Sequence, residues 1–412
     1  MKKILSVTAV VSLLTTMASG GALASGYRIP EQSLNSTAKS GANIASASSA
    51  DAAYFNPAAV VWLKEGWLAE INGTYLHLTA MDYTDRRSPL YNAESKDENY
   101  FIPTIFLVSP EWKDFRFGFS VTVPYGLGKR WYDPLPKTFA EKFDLRVFDI
   151  NPTVTYAIND KFAISGGIRA LYAKATVMSN GMLSPEMGVS GSRYMHGDTT
   201  EWGYNLAIDY KPAKDWNLAA TYRSHVDLDY KGDVILKSNM GGGIDTSGNV
   251  TVVAPAVLAL SAAYTWDKLT VELTIDRTFW SEYEHLDFDY DQPVMNPVLA
   301  AAFERPVKKD WDDSSAIRLG FDYALTNTFN IMAGFAYDEN PVPEETVNFE
   351  LPDSDAWLFS LGMRYAVNDN LDIGVAALVD VKEDRKVKNQ HIDGEFTDCA
   401  AVLLTFGVQY RF

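Results

Sequence analysis

Strict two-residue alternation constrains this chain more than any other feature of it. From Trp357 the odd positions read Trp357, Phe359, Leu361, Met363, Tyr365 and Val367, and the even ones Leu358, Ser360, Gly362, Arg364 and Ala366. The last segment sets Val402, Leu404, Phe406, Val408, Tyr410 and Phe412 against Leu403, Thr405, Gly407, Gln409 and Arg411. Similar dyads run through 202–210, 216–222, 269–275, 317–325, 329–338 and 371–379. Side chains alternate faces along a β-strand, so each segment has one apolar face and one mixed or polar face. Alternation alone also fits a soluble sandwich or a lipocalin-like barrel. Three features select a barrel in a membrane. Aromatics, 13% of the chain, sit at the ends of the apolar faces, as in interfacial girdles. The last strand closes on an aromatic, Phe412. Connections alternate in length: short polar turns at 109–114, 159–161, 211–215, 267–268, 326–328 and 368–370 separate long segments near 83–98, 125–146, 177–197, 231–255, 284–312, 340–354 and 383–396. Six short and seven long connections join fourteen strands, an even number that returns both ends to the side of the short turns, the periplasm. The expected fold is an all-β, 14-stranded antiparallel transmembrane barrel, because only closure leaves no unpaired backbone in lipid.

Composition removes other classes. With 36 Lys and Arg against 53 Asp and Glu among 412 residues, the net charge is −17, and no basic cluster offers a nucleic acid a surface. Cys399 is the only cysteine and there are five His, which excludes a disulfide framework and leaves no basis for a metal centre or other cofactor. No Gly-x-Ser-x-Gly elbow or His-Glu-x-x-His segment occurs, so no catalytic residues are expected. The length would allow two or three soluble domains, but no linker separates any, and the chain reads as one large unit. Residues 1–24 read as a secretory signal peptide: Lys2 and Lys3, an uncharged apolar run from Ile4 to Met17, then Ala22-Leu23-Ala24.

Residues 25–63, rich in Ala, Ser, Gly and Asn, carry almost no dyad pattern. A free tail holding Tyr54, Phe55 and the apolar run 60–63 would be sticky, so the segment is expected to fold into the lumen as a plug, with residues 64–412 forming the barrel.

The blocks that fill out this pattern resemble a known family. Gly26-Tyr27-Arg28-Ile29-Pro30-Glu31-Gln32-Ser33 and Asp51-Ala52-Ala53-Tyr54-Phe55-Asn56-Pro57-Ala58 resemble the N-terminus of the FadL family of outer-membrane transporters of hydrophobic compounds. Pro124-Tyr125-Gly126-Leu127, Tyr222-Arg223-Ser224, Trp280-Ser281-Glu282-Tyr283 and Asp338-Glu339-Asn340-Pro341-Val342-Pro343 follow in family order, so the resemblance spans the mature chain. It implies uptake of a hydrophobic small molecule, above all a long-chain fatty acid, at the bacterial outer membrane. The alternatives are an uncharged hydrocarbon as cargo on the same fold, or a general diffusion porin. It further implies that the N-terminal hatch gates passage and that cargo leaves sideways through a kinked third strand beside an Asn-Pro-Ala motif, here Asn56, Pro57 and Ala58 with Phe55 before them. Outer-membrane lipid and lipopolysaccharide are the expected surroundings of a monomer. Within residues 112–124, Gly118 is the expected weak point, since glycine often marks a bulge, and Pro124 ends the stretch.

Candidate cargo contacts are Leu127, Phe139, Phe143, Met182, Leu183 and Met187, whose alternative role is packing the loops together. Arg169 faces inward by strand phase and suits either a fatty carboxylate or a structural acid. Lys174 resembles the family's basic residue of strand five, although alternation puts it on the face of Tyr172. The family's second basic position is Asp312 here, after Trp311, with Lys308 and Lys309 nearby; an acid there suits an uncharged cargo.

Overall fold

The computed structural model describes residues 26–412. The signal-peptide reading of residues 1–24, and Ser25 at the head of the expected plug, lie outside the described residues.

Fourteen strands follow in chain order: β1 (Leu68–Leu78), β2 (Glu98–Val108), β3 (Phe115–Arg130), β4 (Lys142–Asn159), β5 (Phe162–Ser184), β6 (Val189–Ala213), β7 (Trp216–Arg223 and Val226–Ser238), β8 (Ile244–Ala254 and Ala256–Trp266), β9 (Leu269–Phe279), β10 (Ser314–Ala324), β11 (Phe329–Asp338), β12 (Ala356–Ala366), β13 (Leu371–Lys382) and β14 (Ala400–Arg411). Each pairs antiparallel with its neighbours, and β1 meets β14 from Leu68 opposite Arg411 to Leu78 opposite Ala401, which closes the barrel. Closure removes the free edge that hydrocarbon would leave without partners.

The distribution of polarity is the reverse of a soluble protein's. Ile71, Tyr75, Ile105, Ile168, Leu206, Ile275 and Phe406 are exposed on the outward phase, while Glu70, Asn72, Thr74, Arg116, Asp209 and Glu272 are buried on the inward phase. In water that arrangement would leave large apolar faces uncovered; around a barrel those faces meet lipid.

Three segments expected as long loops are largely strand hairpins. Residues 125–146 hold the ends of β3 and β4 with a short helix, Pro134–Ala140, between them, residues 177–197 the outer ends of β5 and β6, and residues 231–255 the outer pieces of β7 and β8. These hairpins keep their ladder hydrogen bonds beyond the lipid band, where polar residues blur the dyad pattern but not the backbone pairing. Other loop pieces form a four-stranded sheet of Asp82–Asp85, Ala93–Glu94, Arg385–Lys388 and Asp393–Thr397, and a short helix, Pro297–Phe303. At the opposite end Trp67 and Phe412 exchange backbone hydrogen bonds of 3.0 and 3.1 Å, beside the short turns.

Candidate transport site

The N-terminal segment, residues 26–63, lies against inward-facing side chains of strands all round the barrel. Its regular pieces are short: α1 (Leu34–Ala38), capped by Ser33 Oγ accepting from Ser36 N at 3.1 Å, α2 (Ala52–Phe55), and a 3-10 turn, Pro57–Trp62. Proline suits the first position of such a turn because its missing N–H would have no partner there. One buried carboxylate, Asp51, gathers the side chains of Ser33 (2.7 Å), Asn35 (3.1 Å), Asn43 (2.9 Å) and Ser49 (2.7 Å). Among the barrel side chains that fasten the segment to the wall, three make several bonds each. Glu272 accepts from the backbone N–H groups of Ile44 (2.6 Å), Ala45 (2.9 Å) and Ser46 (2.9 Å). Asp209 accepts from Asn56 Nδ2 (2.6 Å) and Trp62 Nε1 (2.8 Å). Arg116 donates to the carbonyls of Val60 (2.7 Å), Leu63 (2.9 Å), Lys64 (2.8 Å) and Gly66 (3.3 Å). Buried backbone without a ladder must find such partners.

β3 is where the wall departs from regularity. Strands β1 and β2 face each other over the whole of Leu68–Leu78, but β2 and β3 do so at only four positions, Ile105–Val108 opposite Gly118–Val121. Beyond them the register of β3 against β4 shifts between Thr122 and Tyr125, a bulge. The N-terminal segment supplies what β2 does not. Ile29 N donates to Pro124 O at 2.8 Å and Gly126 N to Tyr27 O at 2.9 Å. The Gln32 amide takes both backbone groups of Val123, at 2.7 and 2.9 Å. Pro124 stands in this bulge, but Gly118 does not, which corrects the sequence expectation. Gly118 pairs regularly on both sides, and a Cβ there would stand 2.5 Å from Thr153 Oγ1 and 3.1 Å from Ala53 Cβ. Its smallness admits α2 to the wall rather than bending the strand.

Two apolar spaces adjoin the bulge. One is a notch in the wall between β2 and β3, about 570 Å³, bounded by Ile29, Leu76, Leu78, Ile102 and Pro103. The other lies inside, under the long loops, about 610 Å³, bounded by Tyr27, Phe143, Val250, Leu286, Phe288 and Trp311. Leu127 and Leu145, cross-strand partners on β3 and β4, line both. Tyr27, Trp280, Tyr283 and Trp311 brace one another beside the inner space, edge on, with centroids 4.7 Å (Tyr27–Trp280), 4.9 Å (Trp280–Trp311) and 5.1 Å (Tyr283–Trp311) apart. Lys309 and Glu350 also line it and form an ion pair with each other. On the short-turn side of the segment a recess of about 1230 Å³ is bounded by Lys64, Lys211, Lys214, Lys268, Asp215 and Asp322.

Of the residues singled out in the sequence, Leu127 and Phe143 reach the inner cavity. Phe139 stacks on Phe349 at 6.0 Å and lies 5.0 Å from His391, so it packs loops together, and Leu183 packs into the same hydrophobic cluster. Met182 and Met187 are exposed and line neither space. Arg169 is fully buried, its Nε 2.8 Å from Asp149 and its NH1 3.0 Å from Ser224 O; it serves the structural pairing. Lys174 is exposed on the outer face, its ammonium 5.2 Å from the Tyr172 ring centroid, so alternation prevails and it does not reach the cavity. Phe55 and Tyr54 meet edge to face at 5.0 Å, Pro57 O accepts from Thr155 Oγ1 at 2.6 Å, and Ala58 packs on Ala163 and Ala207. Phe288 and Glu350 escaped sequence reasoning, since nothing local distinguishes them, and Tyr27 was visible only as part of its family-like block. Lys309 was visible only as a neighbour of Asp312.

Residues 15–412 match the family described as outer membrane protein transport protein (OMPP1/FadL/TodX). A long-chain fatty acid transport protein of Escherichia coli O6:H1 is 25% identical over 337 residues, 72% of each chain. Outer membrane protein P1 of Haemophilus influenzae is 24% identical over 89% of each. Among solved structures, a FadL homologue of Pseudomonas aeruginosa has a TM-score of 0.83 at 20% identity, covering 94% of this chain and 100% of its own. The toluene transporter TodX of P. putida has 0.69 at 18%, covering 92% and 98%. Both share the barrel. The chain therefore belongs to the OMPP1/FadL/TodX family and is an outer-membrane β-barrel transporter of hydrophobic compounds, not an enzyme.

Proposed function

We propose that this protein takes up long-chain fatty acids, holding the acyl chain in the cavity under the loops and releasing it sideways through the notch between β2 and β3, with residues 26–63 as the gate. The observation that carries this reading is that Leu127 and Leu145 are walls of both spaces, so a single pair of side chains separates an apolar cavity from an apolar gap in the wall. Burying an acyl chain gains about 0.8 kcal/mol per methylene, on the order of 10 kcal/mol for a long acid, so a water-filled exit would hold it back and a lipid-facing one would not. The short-turn end is a polar, lysine-edged recess, which opposes an axial apolar route. Release then requires the segment that caps the bulge to shift, since its backbone bonds to Pro124 and Gly126 hold the gap edge. Relatives named for long-chain fatty acid transport agree with this choice of cargo.

A second reading, an uncharged hydrocarbon, is favoured by one observation: the cavity's Lys309 is already neutralised by Glu350. A solved relative named as a toluene transporter agrees with it. Mass spectrometry of whatever survives mild detergent purification, with titration of oleate and of toluene, separates the two. Retained fatty acid, with oleate affinity falling more than tenfold in the Lys309→Met/Glu350→Gln variant, supports the first. Retained hydrocarbon, or oleate binding unmoved by that variant, overturns it.

A further inference from the structure

The notch between β2 and β3 is not left open by the backbone alone; one side chain bars it. Tyr100 on β2 lies across the outer-phase glycine of β3, Gly128: a Cβ placed there would stand 2.5 Å from Tyr100 Cζ and 2.7 Å from Cε2. The ring continues toward β4, where the Arg146 guanidinium sits 5.4 Å from its centroid, opposite Gly126 in the β3–β4 register. At Gly126 the corresponding space is taken by Ile29 Cδ1, 3.1 Å from an added Cβ. Past the bulge, therefore, two positions of β3 whose phase points outward are covered by Tyr100 and by the N-terminal segment instead of by lipid. A tyrosine can seat itself there only because residue 128 has no side chain. A cation over its face favours such a seat.

We propose that Tyr100 is the shutter of this notch: seated on Gly128 under Arg146 it separates the inner cavity from lipid, and swung off that seat it lets an acyl chain pass between β2 and β3. The assignment rests on the sideways-release reading above and adds to it the residue that limits the release rate. Ile29 forms the floor of the same opening, so the shutter and the gate segment close one gap from two sides. Gly128 has no left-handed backbone conformation, so alanine there is tolerated by the main chain and acts only through Tyr100.

The test uses the full-length protein in nanodiscs, loaded with anthroyloxy-labelled stearate, with transfer of the probe to the surrounding bilayer followed by a spin-labelled lipid quencher. Tyr100→Ala is expected to speed transfer at least fivefold, and Tyr100→Phe, which keeps the ring, to leave it near wild type. Gly128→Ala, although it adds atoms, is expected to speed transfer as well, because its methyl evicts the ring. The double variant should be no faster than Tyr100→Ala, since both act on one contact. Heat-modifiable migration on gels confirms that each barrel is folded. Wild-type rates in Tyr100→Ala, or slowed or unchanged transfer in Gly128→Ala, overturn the shutter. Leu127→Trp fills the partition between the two spaces and tests the parent reading separately. If it blocks transfer while the Tyr100 and Gly128 variants do nothing, sideways release stands and the shutter falls. If probe reaches the bilayer at the wild-type rate in Leu127→Trp, sideways release itself is wrong.

Discussion

Replacing Asn56 by Ala removes one small group from the N-terminal segment and changes no strand residue. The Asn56 amide donates to the buried Asp209 carboxylate at 2.6 Å and to Ile44 O at 3.1 Å. A hydrogen bond to a charged group contributes about 1.5–3 kcal/mol and a neutral one about 1 kcal/mol, so the variant loses on the order of 3 kcal/mol of local fastening. Asp209 keeps Trp62 Nε1 at 2.8 Å and Asn217 Nδ2 at 3.1 Å, so its charge is not stranded and the barrel should assemble. At about 1.4 kcal/mol per tenfold, the opening equilibrium of this part of the segment shifts by roughly a hundredfold. Amide hydrogen exchange is the direct assay: residues 44–63 should lose about two decades of protection, while strand amides keep theirs and the barrel remains heat-modifiable at the wild-type temperature. Uptake of labelled oleate should fall, because a segment that no longer holds a closed position cannot switch between two. Unchanged protection at 44–63 would refute the energetic argument, and unchanged uptake would refute the gating role.

Other outcomes follow from the same geometry. Arg116→Met removes the donor to five carbonyls, those of Val60, Leu63, Lys64, Gly66 and Ser109, and should cut the yield of heat-modifiable barrel more than Asn56→Ala does. Gly118→Val presses on Thr153 and Ala53 and should destabilise by about 1–3 kcal/mol, read as a lower unfolding temperature on gels. In the loop sheet, burial opposes the charge on Asp85, but hydrogen bonds from Arg87 (2.6 and 3.1 Å) and Tyr83 (2.7 Å) outweigh it and hold the carboxyl down to about 2. A depressed pKa contributes stability above the ordinary carboxylate range, near 3.9, and that stability disappears as the pH falls from there through about 2. Exchange protection of residues 82–95 should therefore drop over that window in the wild type and show no such step in Asp85→Asn.

How much of this was legible beforehand differs by length scale. Dyads such as Trp357–Val367 reveal strands because lipid and lumen impose opposite solvents on alternate residues, and each residue reports its own side. The same rule placed Arg169 inside and Lys174 outside, against the resemblance that pointed Lys174 at the cargo. It failed where both faces meet water: the outer ends of β5 through β8 lost their pattern, while their backbone ladders continued. Gly118 misled because a glycine admits two causes, a bend in its own strand or the approach of something else, and only the position of α2 decides between them.

By itself the sequence determined the strand count, the closure, the membrane and the residues that face it, since these follow from the periodicity of single residues in two solvents. Tertiary structure alone decided which groups distant in sequence meet in space: Tyr27 against Trp280, Lys309 against Glu350, Gln32 against the bulge at Val123, and Tyr100 on Gly128. Those contacts depend on where a barrel wall brings distant positions together, and a linear pattern carries no record of that distance.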